Sequence, residues 1–315
     1  MILLTGASGV VGRELTPRLR QEELILARHR VRPDSDAWQV SIDIRDPILG
    51  LSEGAYVRLC AEVDTVVHCA AITDMSGQVP ELSETNIAGV QNIVDFARAA
   101  GAKLHFVSTA YCSETYGPAA PVSSDYVASK RAAEAVVRES GLDWTIVRPS
   151  IIAGHSQTGE IASFQGFHLF IATILKGRLP IIPLAPQTPC DFVAVDWVAD
   201  AIARIVEQPE WGRTYWLTAG AKALTIEDMM KTGRNFASAR GRDLDRVELM
   251  TPQAVEDQIL PDLKPRSRER LSILINLAKV MARRTAFPSD LKPVDQAGLK
   301  RTLLANLDYW GTQSG

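Results

Sequence analysis

Cysteine is scarce in this chain. Its four copies, Cys60, Cys69, Cys112 and Cys190, are scattered and form no CxxC pair. That spacing excludes a disulfide framework and a thiolate zinc site, and it fits inert thiols in a reducing compartment. Histidine is nearly as rare. His29, His68, His105, His155 and His168 are dispersed along the sequence, so no metal site is expected. No apolar run is long enough to span a bilayer. A net charge of −3 gives no drive toward nucleic acid or an anionic membrane. Long repeats and low-complexity linkers are also missing. Met1-Ile-Leu-Leu4 already reads as a core strand, so no leader peptide is expected and the chain reads as cytoplasmic. What remains is an ordinary α/β composition on 315 residues, enough for one large or two modest domains.

The amino-terminal strand runs into Thr5-Gly6-Ala7-Ser8-Gly9-Val10-Val11-Gly12, and helical periodicity begins at Val10 with Val11, Leu15 and Leu19. Gly6 permits a tight turn, Gly9 lets backbone approach a pyrophosphate, and Gly12 lets the helix pack on the strand. Phosphates would sit on N–H groups at the helix N-terminus, so Thr5, Gly6, Ser8, Gly9, Val10, Val11 and Gly12 form a candidate dinucleotide cradle. The next strand, Leu24 to Ala27, is followed by Arg28, with Arg30 and Arg32 close behind. An NAD site usually carries a carboxylate there, whereas a guanidinium pairs a 2′-phosphate, so NADP(H) is the expected cofactor. A third strand, Trp38 to Asp43, ends in an aspartate that suits either the adenine amino group or a plain turn before Asp46-Pro47, with Ile44 beside it. A fourth, Asp64 to Ala71, ends in the small residues Cys69, Ala70 and Ala71, which would let the cofactor lie close to backbone.

Lys103 to Thr109 reads as the next core strand. Its end presents Ser108 and Thr109, where a hydroxyl can hold a substrate carbonyl oxygen. Ser124 to Glu139 reads as a helix capped by Ser123 or Ser124, with Ala128, Ala132, Val136 and Val137 on its buried stripe. Tyr126 and Lys130 stand four apart and share one face of that helix. A free phenol titrates near pH 10, and a neighbouring ammonium is expected to draw it down toward a useful acid. Gly154-His155-Ser156-Gln-Thr158 lacks the second glycine of a nucleophile elbow, which argues against a hydrolase. His155 itself reads either as a substrate contact or as a loop residue.

Together, Gly6/Gly9/Gly12, Asp43, Cys69-Ala-Ala, Asn86-Ile-Ala-Gly89, Ser108-Thr109, Tyr126/Lys130 and Arg148-Pro149 resemble the extended short-chain dehydrogenase/reductases. Asp191 to Ala201 is similar to their return segment. Val107-Ser-Thr-Ala-Tyr111 and Arg148-Pro149-Ser-Ile-Ile-Ala-Gly154 are closer to the thioester reductase and fatty acyl reductase branch. The resemblance covers residues 1 to about 207. It implies that Thr109 holds the carbonyl oxygen, Tyr126 protonates it, and Lys130 binds the nicotinamide ribose and tunes Tyr126. It implies further that Pro149, Ile151 and Ile152 shape the nicotinamide pocket and that Asn86 supports the active-site backbone or a water. One departure is the 16 residues, positions 110 to 125, between Thr109 and Tyr126. That branch would carry a longer loop there, which bears on its substrate.

The expected architecture is a Rossmann-type doubly wound parallel sheet with a smaller, mostly helical C-terminal region. Residues 1–150 and 187–219 would bind NADP, and residues 151–186 and 220–315 would bind substrate. Phe164 to Lys176 reads as a helix closed by Gly177, followed by extended Leu179 to Pro183. Thr225-Ile-Glu-Asp228 reads as a capped helix start. Leu271 to Ala282 is apolar between Arg266, Arg268 and Arg270 on one side and Arg283-Arg284 on the other. It suits a buried lid helix, or an acyl wall whose arginines meet the phosphates of a coenzyme A or carrier-protein arm. The leading reading is an NADP(H)-dependent reductase of a small-molecule carbonyl or acyl thioester, compatible with an oligomer. The alternatives are a sugar-nucleotide epimerase or dehydratase with retained cofactor, and a non-catalytic NADP-binding regulator.

Overall fold

A computed structural model of the chain describes residues 1–20, 23–73, 81–115, 125–164, 168, 181–241, 247–281, 286–292 and 294–313. In chain order the regular elements begin with β1 (Ile2–Thr5), α1 (Val10–Leu15), β2 (Leu24–Arg28), β3 (Trp38–Ser41), α2 (Glu53–Glu62) and β4 (Thr65–His68). They continue with α3 (Gly89–Ala100), β5 (Lys103–Val107), α4 (Asp125–Arg138), β6 (Trp144–Pro149), β7 (Ile151–Ala153), β8 (Ile181–Ile182), β9 (Pro189–Cys190) and β10 (Phe192–Ala194). The last are α5 (Val195–Glu207), β11 (Arg213–Leu217), β12 (Leu224–Thr225), α6 (Ile226–Ser238), β13 (Glu248–Leu249), α7 (Pro252–Gln258), α8 (Pro265–Met281) and α9 (Gln296–Gln313).

The chain divides into two compact units. The first comprises Met1–Cys112, Ser124–Pro149 and Val195–Leu217. It holds a seven-stranded sheet in the order β11-β6-β5-β4-β1-β2-β3, with every pairing parallel. Continuous apolar runs build its inner strands, and all four residues of β1 are buried, as expected where helices cover both faces. The strand order reverses between β1 and β4, the topological switch point at which such sheets bind ligands. Leu3, Ile25, Val66, Leu104 and Ile146 from the sheet pack with Ile93, Val94 and Phe96 of α3 into one core. Gly101, left-handed at φ 64°, ends α3 and returns its N–H to Ala97, a cap glycine adopts without strain.

The second unit comprises Ser113–Ser123, Ser150–Ala194 and Thr218–Gly315. Its strands are two or three residues long and form two-stranded pairs, β10 with β7, β12 with β9 and β13 with β8. Its core is Phe192, Leu224, Ile226, Met229 and Met230 packed with Leu299, Leu303, Leu307 and Trp310 of α9. Thr225 and Asp228 form a full capping box at the start of α6, as the sequence predicts. The helix expected over 164–176, its cap Gly177 and Leu179 lie largely outside the described residues. Of that stretch, Phe164 is exposed and His168 is buried against Asn306 of α9.

Candidate active site

The glycine turn is built at the switch point. Gly6 is left-handed, φ 72°, and a Cβ there would sit 2.7 Å from the Ala70 nitrogen. A Cβ on Gly12 would meet the Gly6 carbonyl oxygen at 2.1 Å. The backbone of β1, α1 and the end of β4 therefore approaches too closely for any side chain at those two positions. Gly9 closes the turn, its N–H donating to Gly6 O at 2.9 Å. Thr5 ties the two strand ends together: its Oγ1 accepts from Ala70 N at 3.3 Å and lies 2.7 Å from His68 Nδ1. Ser8 is exposed and Val10 and Val11 are half-buried at the start of α1. A cradle from which side chains are sterically barred fits a dinucleotide pyrophosphate.

At the far end of the turn, Arg28 leaves β2 into solvent, and Arg30 and Arg32 are exposed beside it. Among the described residues none of the three makes an ion pair. Asp43 lies two residues beyond β3, and its carboxylate is taken by Arg45. Arg45 Nε donates at 2.9 Å and its backbone N–H at 3.0 Å, while His29 Nε2 lies 3.2 Å away. The Arg45 hydrogen bond holds Asp43 down at about 2. The next turn is strained. Ile48 and Leu49 both adopt left-handed backbone, φ 49° and 58°, where a β-branched residue is rarely found. The turn returns Leu49 O to the Asp43 N–H at 3.1 Å and buries the Leu49 side chain. Nothing local in Asp46-Pro-Ile-Leu-Gly50 signals it. Ile44 is buried, and its carbonyl accepts from Asn92 at 2.8 Å.

Ser108 and Thr109 follow β5 directly, and both are buried. The buried Tyr126 phenol of α4 is hydrogen-bonded by the Thr109 hydroxyl. One turn on, Lys130 is 2 % exposed; its Nζ donates to Val107 O at 2.9 Å and lies 4.3 Å above the Phe106 ring. Burial lowers Lys130 to about 8. The expected tuning of Tyr126 by Lys130 is not found. Burial raises the phenol well above its ordinary value, the Cys112 side chain adds to the rise, and the Thr109 hydrogen bond opposes it. Desolvation exceeds any pull from an ammonium that is already bound to a carbonyl.

The buried face of α4 also differs from expectation. Ala128 is exposed and Ala132 and Val136 are half-buried, whereas Tyr126, Ser129, Lys130, Ala133, Glu134 and Val137 are buried. Counting apolar residues misses this face because half of it is polar. The helix begins at Asp125, and the expected cap, Ser123 or Ser124, lies outside the described residues, as does most of the short loop after Thr109. Asn86 sits in a π-helical turn, Glu84–Ala88, a local irregularity frequent at functional sites. Its Oδ1 accepts from Ile72 N at 2.8 Å, and its Nδ2 donates to Ile72 O at 2.9 Å and Ser129 Oγ at 3.1 Å. Ser129 in turn donates to Tyr126 O at 2.8 Å. Asn86 thus fixes the helix that carries Tyr126.

Cys69, Ala70 and Ala71 follow β4 directly, and burial pushes the Cys69 thiol up to about 12. Pro149 ends β6, and Ile151 and Ile152 lie in β7 of the second unit. His155 closes a turn, its N–H donating to Glu160 O at 2.8 Å. In α8, Leu271, Ile275 and Ala278 are buried. Arg268 is exposed and donates to the preceding turn, to Leu260 O at 3.2 Å and Pro261 O at 2.8 Å. Arg266 is exposed, while the Arg270 side chain and residues 282–285 lie outside the description. Among the described residues no cluster of His, Cys, Asp or Glu could hold a metal, and no helix is long and apolar enough to cross a membrane.

The sequence of residues 38–202, more than half of the 315-residue chain, matches the Male sterility protein family of NAD-binding proteins. A ceramide reductase of Caulobacter vibrioides is 30% identical over 213 residues, covering 65% of this chain and 60% of that protein. A polyketide synthase-nonribosomal peptide synthetase of Aspergillus clavatus is 27% identical over 280 residues, covering 76% of this chain but 7% of that one. The chain thus spans less than two thirds of the length of these curated relatives. Among solved structures, the terminal R domain from the myxalamid PKS-NRPS biosynthetic pathway superposes with a TM-score of 0.73 at 24% identity, over 100% of this chain and 90% of that one. The reductase domain of a nonribosomal peptide synthetase from Mycobacterium tuberculosis gives 0.69 at 19% identity, over 99% and 92%. These two likenesses concern the fold. The chain therefore belongs to the Male sterility protein family of NAD-binding proteins.

Proposed function

We propose that this protein is an NADP(H)-dependent reductase of a carbonyl or acyl thioester, with Tyr126 as proton donor. The observation that carries the reading is the buried Tyr126 phenol beside the buried Thr109 hydroxyl, with Lys130 one helical turn away. The cradle of Thr5, Gly6, Ser8, Gly9, Val10, Val11 and Gly12 would hold the pyrophosphate. Arg28, Arg30 and Arg32 would meet the 2′-phosphate. Cys69, Ala70 and Ala71 would flank the cofactor, as would Pro149, Ile151 and Ile152. Asp43, engaged by Arg45, would shape the adenine end through backbone beside Ile44 rather than as an open acceptor.

A bound nicotinamide supplies hydride to the carbonyl carbon. Thr109 and Tyr126 hold the carbonyl oxygen, and Tyr126 gives it a proton as negative charge builds there. An alkoxide is far more basic than a phenolate, so this transfer is favourable even from a phenol raised by burial. The raised value also makes a phenolate base scarce near neutral pH, which suits reduction better than oxidation. Lys130, as an ammonium one helical turn away, would bind the nicotinamide ribose, its pull on the phenolate being smaller than the burial that opposes it. A thioester reduced in this way becomes a hemithioacetal, which breaks into aldehyde and thiol.

Two relatives support this substrate range: a ceramide reductase, whose name points to a lipid, and the terminal R domain of a PKS-NRPS pathway. The substrate form proposed is an acyl chain on coenzyme A or a carrier protein, or the free carbonyl compound. The experiment follows NADPH oxidation by absorbance across acyl-CoAs, carrier-bound acyl groups, aldehydes, ketones and quinones. Turnover of a thioester or aldehyde, with NADPH preferred over NADH, is expected. Failure with every carbonyl offered would overturn the reading.

A further inference from the structure

We propose that Glu134 is a positioning residue for this site: its buried carboxylate ties together the strand ends around Tyr126 and Thr109 and supplies the negative charge that keeps Lys130 an ammonium. The proposal rests on the reductase reading above and adds a residue to it. Tyr126, Lys130 and Glu134 stand at successive spacings of four on α4, so they share one face. Glu134 is 3 % exposed, and a carboxylate is almost never buried unless it is paired.

Its partners come from three elements. Ser108, next to Thr109, donates its hydroxyl to Oε1 at 2.6 Å. Cys112 Sγ, in the turn after β5, lies 3.1 Å from Oε1 and 3.1 Å from Thr109 O. Arg148, one residue before Pro149 on β6, grips the carboxylate with both arms, Nε to Oε1 at 2.8 Å and Nη2 to Oε2 at 2.6 Å. Arg138 adds Nη2 to Oε2 at 3.0 Å. On β11, the Trp216 ring lies 4.8 Å from the Arg148 guanidinium and so helps fix it. One carboxylate therefore joins the backbone that carries Thr109, the strand that leads to Pro149 and the helix of Tyr126. With so many donors, chiefly Arg148, the carboxyl is held down at about 2 despite burial and stays ionised.

The charge argument follows from what surrounds Lys130. Phe106 and Val107 of β5 contact its ammonium. His68 at the end of β4 and Cys69 just beyond it face the ammonium, as do Cys112 from the turn after β5 and Glu134 from its own helix. Burial lowers Lys130, and Cys112, Glu134 and Cys69 oppose that fall. The two thiols are pushed up to about 11 and about 12 and are neutral near pH 8, and His68, lowered to about 3, is neutral there too. Of these groups, Glu134 is the one that carries charge at the pH where Lys130 titrates. With its carboxylate neutralised, Arg148 and Arg138 would remain as unopposed cations, and the ammonium would be lost at lower pH.

The test substitutes Glu134→Gln, which keeps the shape and an acceptor oxygen but removes the charge. Glu134→Asp keeps the charge and serves as the folding control. Carbon-13 NMR of labelled lysine, with Lys130 assigned through Lys130→Met, reads the titration without requiring turnover. The Lys130 midpoint should fall by about one pH unit in E134Q, the lower end expected for losing a nearby opposite charge, and stay near the wild-type value in E134D. The alkaline limb of kcat should move by the same amount, costing roughly fivefold in rate at pH 8, with NADPH binding at pH 6 little changed. An unmoved midpoint in E134Q, or an equal fall in both variants, would overturn the proposal. If the midpoint moves as stated but the wild-type protein reduces no carbonyl compound, the reductase reading fails and the Glu134 assignment stands.

Discussion

The two units answer the same demand, close backbone packing, with different sequence logic. In the first, Gly12 is required by the backbone of Gly6, and Gly6 by Ala70 at the end of the neighbouring strand. In the second, Gly154 and Gly159 are required by α9. A Cβ on Gly154 would lie 2.2 Å from Gly159 O and 2.8 Å from Asn306 Oδ1, and one on Gly159 would lie 2.2 Å from Ala305 O. Asn306, fully buried, also accepts from Gly154 N at 2.7 Å and lies 3.0 Å from His168 Nε2. The first unit makes its constraints largely between neighbours in a regular βαβ pattern. The second adds constraints between residues well over a hundred positions apart, Gly159 against Ala305 and Gly154 against Asn306. A glycine whose reason lies that far along the chain carries no local signal.

The largest expected effects break this comparison directly. Gly12→Ala and Gly159→Ala introduce equivalent overlaps, so each should cost several kcal/mol, among the large values reserved for backbone clashes and strain. They should differ in consequence. G12A should abolish NADPH binding measured by fluorescence titration, whereas G159A should lower stability in denaturant yet leave cofactor affinity intact at low temperature. Equal loss of binding in both would mean the second unit contributes to the cradle.

Acid should also distinguish the units. His68, fully buried, is lowered to about 3 by desolvation, and His105 to about 4. Each is neutral in the folded state and takes up a proton on unfolding, so stability is complete above about 6.5 and is lost as pH falls through the window toward the folded values. For His68 that amounts to on the order of 5 kcal/mol. Glu134 has the opposite chemistry but the same direction, its stabilisation being lost as pH falls from its unfolded value of 4.5 toward about 2. Denaturant titrations at pH 7, 5.5 and 4.5 should show stability falling through this range, and His68→Asn should flatten the upper part of the slope. An unchanged slope would show that His68 is not the group responsible.

A smaller effect concerns cofactor choice. Arg28→Ala should weaken NADPH about tenfold or more and leave NADH almost unchanged, since a hydrogen bond to a charged group contributes about 1.5–3 kcal/mol. Equal affinities in the unmodified protein would contradict the 2′-phosphate assignment. The smallest change is Arg268→Ala in α8. Its bonds to carbonyls are exposed, so a loss of about 1 kcal/mol is expected in thermal unfolding. The Michaelis constant for an acyl-CoA should not move, unlike that of Arg266→Ser, where a screened surface pair is worth up to about 1 kcal/mol.

Much of the first unit was legible because its signals are local. The apolar run of β1, the glycine spacing before Val10 and the Tyr126–Lys130 pair each lie within one or two turns of chain. The capping box at Thr225 was legible for the same reason. Other features escaped. The left-handed Ile48-Leu49 turn has no sequence signature, because neither residue favours that backbone. Glu134 drew no reading at all from the sequence, although its spacing of four from Lys130 was the available clue. Asp43 read either as an acceptor for the adenine amino group or as a plain turn residue, since nothing in the sequence tells whether Arg45 folds back on it. The arginines before Leu271 read as a collar, but Arg268 is turned onto backbone carbonyls that only the folded chain brings near it.

The central claim is that the Tyr126 phenol delivers the proton while other residues hold the cofactor. Tyr126→Phe removes one oxygen and leaves Lys130 on the Val107 carbonyl. The measurement is kcat with the best thioester or aldehyde, taken beside the NADPH dissociation constant of the same preparation. The account predicts a rate loss of about 10²–10⁴-fold with NADPH affinity unchanged within about threefold. A variant that retains most of its turnover, or that loses cofactor binding in step with rate, would contradict it.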